Sequence, residues 1–413
     1  MALAVPVDFS FSLGPLPRLS PIDYFCALAA LAWMAHIGPS RAVPAVLKIF
    51  SLPEILVWSG FFLFTAMMAI HLGGNVRGPL RWMEFLFFIF LASLAARESP
   101  SFTIRYSRVL LWMGSLLSVF GIWQFAHSGG DYRAAVGPFR QHNIQGAFLS
   151  LVMPVSFATA YLERGNLRRI LWIGAVLMMI AFLAAYSRGA WAGLLAGVAI
   201  LAAGTQWITP KMTQRVPVLL VLLWIVGSAG LPILAIHHFP GLGSLSNKVP
   251  VSTPAASIET ERLLSSAQRP IYWRAAYQVI RAHPWVGLGP GKYLACLPQF
   301  LDEDSRQFFK FELTFMKRID FWQHLHSIYL QVLIEYGGIG FLLWALGMAL
   351  LAGTSLGSLM ASRDILAWGA AISVMAFLAH NSVDVLFVNS LDLLLACYLA
   401  IGRSSSKPKT EIS

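Results

Sequence analysis

The sequence predicts an all-α protein that crosses a membrane many times. The chain has 413 residues, of which 57% are hydrophobic and only 12% are charged, and its mean hydropathy is +0.66. Soluble domains carry about 25% charged residues. Apolar runs of about twenty residues, the length that crosses roughly 30 Å of hydrocarbon, recur along the chain. Together these observations indicate a polytopic integral membrane protein.

The apolar runs locate the predicted membrane helices. Each run is long enough, or nearly so, to cross a bilayer. A twelfth helix around 38–52 is a poor candidate because Arg41 and Lys48 lie within it, so we predict eleven or twelve. A polar insert, residues 237–323, separates the eighth run from the ninth. The runs lie at 22–37, 53–71, 83–96, 105–126, 142–162, 170–186, 190–206, 216–236, 337–353, 365–383 and 386–402.

Basic residues in the connections between the runs predict the orientation. The larger set belongs in the cytoplasm, which places the polar insert and Arg188 on the other side of the membrane. With eleven helices the two ends of the chain lie on opposite sides, so the N-terminus also lies outside the cytoplasm. The larger set is Arg97, Arg105, Arg108, Arg164, Arg168, Arg169, Lys211, Arg215, Arg363, Arg403, Lys407 and Lys409. The alternate connections hold Arg77, Arg81, Arg133, Arg140 and Arg188.

The net charge of +11 does not require a nucleic acid partner, because much of the excess lies in these short connections. Cys26 and Cys397 fall inside apolar runs and Cys296 is alone, so no disulfide framework is predicted. Residues 1–21 have no basic segment beyond Arg18, and we expect the first helix to be a retained anchor rather than a cleaved signal peptide.

The segment AYSRGAW, residues Ala185–Trp191, places Arg188 between two apolar runs joined by almost no loop. An arginine at the centre of a membrane helix costs about 2.5–3.5 kcal/mol on insertion scales, and near the boundary its side chain can reach water. Arg188 is therefore either an anchor at the membrane surface or a guanidinium that binds an anion. Gly189 would let a large headgroup approach the backbone.

The segment GPFRQHNIQGAFLSLVMPV, residues Gly137–Val155, opens another predicted helix on the same outer side. Arg140, His142 and Asn143 are polar residues at its start. Several helix starts with this chemistry on one side of the membrane favour a shared binding site.

The segment RPIYWRAAYQVIRAHPWVGLGPGKY, residues Arg269–Tyr293, lies in the polar insert and predicts a helix. Pro270 suits its first turn, and His283–Pro284 ends it. The GLGPG that follows is a tight turn and not a dinucleotide fingerprint, because a helix rather than a strand precedes it. Arg269 and Arg274 either belong to a solvated face or point a guanidinium at a phosphate.

The segment HLHSIYLQVLIEYGGIG, residues His324–Gly340, stands directly before an apolar run. If His326 is on a helix, it shares a face with Leu330, and a polar row lies on the neighbouring face. Histidine is the natural proton acceptor near neutral pH, so His326 is either a general base or a structural hydrogen-bonding residue. The other polar residues of the segment are His324, Ser327, Gln331 and Glu335.

The sequence predicts neither a metal site nor a cofactor site. The acidic triplet Asp302–Asp304 resembles a cation-binding cluster, but a solvated run of charges is the better interpretation. The chain has no P-loop pattern, no zinc-ligand spacing and no Ser–His–Asp arrangement in a convincing context.

These segments together resemble the O-antigen ligase family, whose membrane core is shared more loosely with O-antigen polymerases. The resemblance covers most of the chain from about residue 130. It rests on GPFRQHN, YSRGAW, R-x-x-x-W with HPWVGLGPG, and HSIYLQVLIEYGGIG, in this order. The family often has asparagine after the histidine of the last segment, where this chain has Ser327.

The resemblance implies an inverting glycosyltransferase with a membrane fold of the GT-C type, independent of metal and of nucleotide sugar. It implies a glycan donor on undecaprenyl pyrophosphate and a lipid A–core acceptor at the periplasmic face of the bacterial inner membrane. Membrane lipids are the other expected partners, and nucleic acid is not one. Arg188 and Arg269 would hold the pyrophosphate, and His326 would activate the acceptor hydroxyl. The expected substrate-binding residues are Arg140, His142, Asn143, Arg274, His324, Gln331 and Glu335.

Three other functions remain open. A polymerase that extends the same glycan is the nearest, since its chemistry is nearly identical. A protein O-oligosaccharyltransferase is less favoured, because such relatives tend to carry an additional C-terminal region. A transporter of lipid-linked glycans is the non-enzyme alternative, although transporters usually show repeated halves and lack so large an outer insert.

The sequence thus divides into three segments. Residues 1–236 hold the first eight or nine transmembrane helices, and residues 237–323 form a periplasmic loop with amphipathic helices. Residues 324–413 hold the periplasmic mouth and the last three helices.

Overall fold

A computed structural model of the chain shows a helical protein, and the predicted all-α class is confirmed. Within the described residues all regular structure is helical and no β-strand occurs. The structure describes residues 28, 32, 35, 38–73, 77–99, 101–139, 141–207, 215–236, 269–301, 306, 325–362, 364–387 and 391–405.

The α-helices are numbered in chain order through these described ranges. Two short 3₁₀-helices, Tyr132–Ala134 and Leu297–Phe300, accompany them. The α-helices are α1 Pro39–Ile49, α2 Leu52–Leu72, α3 Arg77–Glu98, α4 Phe102–His127, α5 His142–Leu162, α6 Gly165–Ala184, α7 Arg188–Trp207, α8 Arg215–Ile236, α9 269–282, α10 Tyr293–Cys296, α11 Ile328–Ala361, α12 Ile365–His380 and α13 Leu391–Ser405.

The predicted multi-pass membrane protein is confirmed, and the predicted apolar runs from 53–71 onward each coincide with a helix. In the part of the chain that the structure describes, 7 helices are long and apolar enough to cross a membrane. Two shorter apolar helices, Arg188–Ala203 within α7 and Ile365–His380, accompany them. The largest difference is at α11, which begins nine residues before the predicted run because the polar row that precedes the run is also helical.

The candidate twelfth membrane helix, around 38–52, contains α1, which has only 11 residues. At 1.5 Å per residue it is about 16 Å long, roughly half the thickness of the hydrocarbon core. Both Leu47 and Lys48 are exposed. This helix is too short to cross the bilayer. Of the first predicted run, Leu28, Ala32 and Ala35 are helical, and its other residues lie outside the described ones.

The chain forms two compact units, which are described separately. Unit 1 comprises Met1–Leu56, Leu80–Leu222 and Gly347–Ser413. Unit 2 comprises Val57–Pro79 and Leu223–Leu346. This division groups residues by their packing, whereas the three sequence segments group them by their expected position relative to the membrane.

In unit 1, α7 packs closely against α12 along a row of glycines. A Cβ atom added to Gly193 would lie 2.8 Å from the Ala376 carbonyl oxygen, and one added to Gly197 would lie 2.7 Å from that of Ile372. Residues four apart share one face of a helix, and small residues let membrane helices approach closely. The contact fixes the α7 helix, which begins at Arg188, against α12.

A buried polar contact joins three helices of unit 1. The Leu151 carbonyl oxygen of α5 accepts hydrogen bonds from the Ser373 hydroxyl of α12 at 2.6 Å and the Tyr398 hydroxyl of α13 at 2.9 Å. These bonds join α5 to α12 and α13 inside the protein, where backbone polar groups have no water to bond.

One end of unit 1 carries residues of the larger basic set. The Arg403 guanidinium at the end of α13 forms a buried ion pair with Glu54 and donates to the Ile49 carbonyl oxygen at 2.8 Å. Arg97, at the end of α3, donates to the Arg403 carbonyl oxygen at 3.4 Å. Helix α2 begins at this end of unit 1, and helices α3 and α13 end there. Basic residues that were predicted to lie on one side of the membrane therefore lie together.

The other end of unit 1 carries residues of the smaller basic set. Arg81, near the start of α3, lies 3.6 Å from the buried Asp392 carboxylate at the start of α13. Trp82 packs on Phe387, with ring centroids 4.4 Å apart, in the segment that connects α12 to α13. The start of α7, with Arg188, lies against the end of α12 and so belongs to this end as well.

Unit 2 is organised around a break in α11 at Gly337, where φ is 62° and ψ is −173°. The 284–289 loop, which follows α9, fills the break, and the two segments exchange four backbone hydrogen bonds. A helix break frees backbone groups that water cannot reach inside a membrane protein. The four bonds run from the N–H of Leu288 to Ile334 O (2.9 Å), Gly289 to Glu335 O (2.9 Å), Gly338 to Pro284 O (2.8 Å) and Ile339 to Trp285 O (3.2 Å).

This pairing requires glycine on both sides. Gly337 has a left-handed φ, and a Cβ added there would overlap the backbone of Trp285. Gly287 has φ +71°, and a Cβ added there would lie 2.5 Å from the Gly337 nitrogen. The GLGPG turn and the YGGIG segment are therefore two halves of one contact, a relation that the sequence analysis did not identify.

We expect Gly337→Ala to lower the free energy of unfolding by about 1–3 kcal/mol or more, because alanine resists the left-handed φ and its Cβ meets the Trp285 backbone. Thermal unfolding of the detergent-purified protein measures the change. The control is Gly227→Ala in α8, where no atom of the described residues outside the helix's own backbone lies within 4 Å of an added Cβ. We expect no loss of stability there, since alanine in a helix is more stable than glycine by about 0.5–1 kcal/mol. Equal unfolding midpoints for the two variants would contradict this role of Gly337.

Candidate functional site

His326 precedes α11 and adopts a left-handed backbone conformation, with φ 52°. His326 is therefore not on the helix, and it does not share a helical face with Leu330. Ser327 ends the non-helical segment: its hydroxyl accepts a hydrogen bond from the Leu330 N–H at 3.3 Å, and its carbonyl oxygen accepts one from the Gln331 N–H at 3.0 Å. Ser327 thus caps the helix and fixes His326 one residue outside it.

Helix α9 packs against His326 and confirms the predicted helix of the insert. The Tyr272 ring stacks on the His326 ring at a centroid distance of 6.5 Å, and the Trp273 indole N–H donates to the Leu325 carbonyl oxygen at 3.1 Å. Arg269 lies one helical turn before Tyr272 and Trp273, and its Nε atom is buried. Unit 2 therefore carries a guanidinium and the candidate base on the same scaffold.

The predicted polar row is present at the start of α11. The Gln331 amide donates to the Glu335 carboxylate at 3.4 Å, and the Gly291 backbone N–H also bonds to this carboxylate. Glu335 is only 6% exposed. Burial, with the nearby Glu335 carboxylate, raises the pKa of the Tyr293 phenol, so that Tyr293 stays protonated. Glu335 thus holds the loop after α9 against α11.

Of the remaining predicted residues of this region, the structure describes Arg274. Arg274 is half-buried in α9, five residues after Arg269, and so faces a different side of that helix. Arg140 and His324 lie outside the described residues, as do Asp302–Asp304.

In unit 1, Arg188 is exposed at the first position of α7. The preceding Ser187 hydroxyl accepts a hydrogen bond from the Ala190 N–H at 3.4 Å, and Tyr186 adopts a left-handed φ of 47°. Gly189 packs on the end of α12, where an added Cβ would lie 2.6 Å from the Nε2 atom of His380. The glycine that was expected to admit a headgroup therefore admits a protein side chain.

The predicted residues His142 and Asn143 lie at the start of α5, at the same end of unit 1 as Arg188. The Nδ1 of His142 donates to the Ala185 carbonyl oxygen at 2.9 Å, which ties this helix start to the turn between α6 and α7. Asn143 follows in the first turn and is half-buried. Within unit 1 the structure thus brings together the segments GPFRQHN and YSRGAW.

Two residues at this end were missed by the sequence analysis. His380 is 1% exposed and its Nε2 lies 3.9 Å from the Asp384 carboxylate. Asp384 also interacts electrostatically with His142. Ionisable residues at the edge of an apolar run are a signal of a polar site, and the sequence HNSVD at 380–384 carried that signal.

Among the residues that the structure describes, no group of three or more His, Cys, Asp or Glu side chains is placed to hold a metal ion. Arg188 belongs to unit 1, and Arg269 and His326 belong to unit 2.

Residues 173–345 match the family model described as O-antigen ligase. This part of the chain is therefore similar to the O-antigen ligase family. None of the curated proteins matches the chain. The predicted resemblance to the O-antigen ligase family is confirmed over this range, and the match supports a membrane glycosyltransferase of the ligase or polymerase type.

The matched range runs from within α6 to within α11 and contains Arg188, Arg269 and His326. Its matched range also includes the four backbone bonds at the break in α11. The start of α5, with His142, precedes the matched range.

We expect Ser327→Asn to keep the stability of the protein, because asparagine caps a helix about as well as serine does. Ser327→Ala should lower the free energy of unfolding by about 1 kcal/mol, since the Leu330 N–H loses its acceptor. Thermal unfolding of the purified variants in one detergent measures both. If the alanine variant unfolds at the wild-type midpoint, Ser327 does not act as the cap.

Proposed function

We propose that the protein is an O-antigen ligase of the bacterial inner membrane with a fold of the GT-C type. It transfers a glycan from undecaprenyl pyrophosphate to a sugar hydroxyl of lipid A–core at the periplasmic face. The acceptor oxygen attacks the anomeric carbon on the side opposite the pyrophosphate, so the configuration inverts. The bond from that carbon to the pyrophosphate oxygen breaks, undecaprenyl pyrophosphate leaves, and the hydroxyl proton passes to His326.

The observation that carries the proposal is the setting of His326. Its left-handed backbone is held by the Ser327 cap and by α9, whose Tyr272 ring stacks on the imidazole. Backbone conformations of this kind persist only where the surroundings enforce them, and they cluster at functional sites. A general base needs such a fixed position, because proton transfer depends on hydrogen-bond reach to the substrate.

In this proposal Arg188 supplies charge to the pyrophosphate. The guanidinium is exposed at the N-terminus of a 20-residue helix, where the helix dipole favours an anion and disfavours a cation that has no anionic partner. A pyrophosphate would relieve this unfavourable placement and accept planar, charge-assisted hydrogen bonds.

Arg269 supplies the second guanidinium in the proposal. Its position one turn from Tyr272 supports a role at the same reaction as His326, since Tyr272 contacts the imidazole. A leaving pyrophosphate gains negative charge as its bond to the sugar breaks, and fixed cations that stabilise this charge lower the barrier. Arginines in this role make a divalent cation unnecessary.

We expect His326→Asn to lower the turnover of glycan transfer by about 10²–10⁴-fold while changing donor affinity by less than about twofold. Asparagine tolerates the left-handed φ, so the variant removes the base without adding backbone strain. The assay uses purified protein, lipid-linked glycan and lipid A–core in the presence of EDTA, with donor binding measured by calorimetry.

The matched control is His71→Asn, which changes an exposed histidine of unit 2 at the end of α2 and should leave transfer unchanged. A collapse of donor affinity at unchanged turnover would remove His326 from the role of base. A strict requirement for a divalent cation would overturn the metal-independent mechanism.

A further inference from the structure

We propose that Tyr132 and Tyr186 form an aromatic platform that stacks on a sugar ring of the lipid-linked glycan, beside its pyrophosphate. The inference rests on the proposed function and names a subsite for the donor within unit 1. It assigns these two tyrosines a role in glycan binding that is separate from the chemistry at His326.

The platform is a continuous set of rings at the end of unit 1 that carries Arg188. The Tyr186 ring centroid lies 5.3 Å from that of Tyr132 and 5.1 Å from that of Trp191. Tyr132 in turn lies 5.1 Å from the His142 ring, in an edge-to-face arrangement. Tyr186 is nevertheless 50% exposed. It is therefore braced by two rings and open on its remaining surface.

Tyr186 directly follows the C-cap residue of α6, a position where helices often end in a left-handed conformation and glycine is the usual residue. Its φ of 47° lies in the left-handed region, which a bulky residue rarely adopts and glycine adopts without cost. The neighbouring Ala185 carbonyl oxygen is held by His142 Nδ1 at 2.9 Å, and Ser187 packs on Gly146, where an added Cβ would lie 2.5 Å from the serine Cβ. The surroundings thus enforce a conformation that presents the tyrosine ring to the outside.

The position of the Tyr186 ring places it near the proposed pyrophosphate ligand Arg188. Arg188, the proposed pyrophosphate ligand, is exposed two residues after Tyr186. In the donor the first sugar is bonded directly to the pyrophosphate. Tyr186 is therefore close in the chain to the residue proposed to bind the pyrophosphate, and the chemistry of its surroundings favours the first sugar over the polyprenyl tail as its ligand.

The chemistry of the platform suits a sugar. One face of a pyranose presents C–H groups that pack on an aromatic ring, while its hydroxyl groups need hydrogen-bonding partners at the edge. Tyr132 is flanked by Asp131 and Arg133, whose side chains pair at 2.8 Å. Hydrogen bonds from Arg133 lower the pKa of the Asp131 carboxyl, so a charged acceptor and a charged donor stay at the edge of the platform.

Aromatic rings at a membrane boundary can also anchor a protein in the headgroup region. An anchor would bind lipid whether or not a glycan is attached. A sugar platform would bind a lipid that carries the glycan more tightly than one that does not.

The test measures the affinity of purified full-length protein for two probes, undecaprenyl pyrophosphate alone and undecaprenyl pyrophosphate that carries the glycan. We expect Tyr186→Gly to weaken binding of the glycan-bearing probe about tenfold and to leave binding of the bare probe unchanged. Glycine suits the left-handed φ, so this variant removes the ring and relieves the strain. Tyr186→Phe keeps the ring and should bind both probes as the wild type does.

Two further variants complete the comparison. Arg188→Ala should weaken binding of both probes. Tyr161→Ala removes an exposed tyrosine at the other end of α5 and should change neither. If Tyr186→Gly affects both probes equally, or neither of them, the platform is overturned and the ring is a membrane anchor. If the wild-type protein binds neither probe, the proposed function itself fails.

Discussion

The exchange of backbone hydrogen bonds between the 284–289 loop and the break at Gly337 is the contact on which unit 2 depends. It resolves a conflict that any broken membrane helix faces, because the freed carbonyl and N–H groups have no water to bond. The loop that satisfies them is the direct continuation of α9, and α9 carries both Arg269 and the tyrosine that stacks on His326. The same contact that completes α11 therefore also sets the position of the candidate base relative to a guanidinium.

In unit 1, close packing of helices positions Arg188. The glycine row of α7 lets α12 approach until backbone and side-chain atoms touch, and this contact leaves the first residue of α7, Arg188, exposed at the end of the unit. His142, bonded to Ala185, fixes the turn from the other side. The residues around Arg188 thus hold its backbone, and its side chain is exposed.

Much of the fold could be predicted from the sequence because hydrocarbon imposes a simple length and composition on each helix. The run predicted at 142–162 coincides with α5. The sequence could not reveal that Gly337 breaks α11, since the apolar pattern continues through it and only a distant loop satisfies the break. The backbone of His326 was missed because helical periodicity says nothing of a left-handed residue before the cap at Ser327. His380 and Asp384 were overlooked because His380 lies in a run that was considered only for its apolar residues, and Asp384 lies between that run and the next.

Whether the protein joins a finished glycan to lipid A–core is decided most directly in the cell. The gene is deleted, and surface polysaccharide and lipid-linked glycan are both resolved on gels. A ligase requires that long-chain lipopolysaccharide disappear while polymer accumulates on undecaprenyl pyrophosphate, with both effects reversed by the wild-type gene. A core capped by a single repeat unit, without accumulated polymer, would contradict the ligase function and indicate a polymerase.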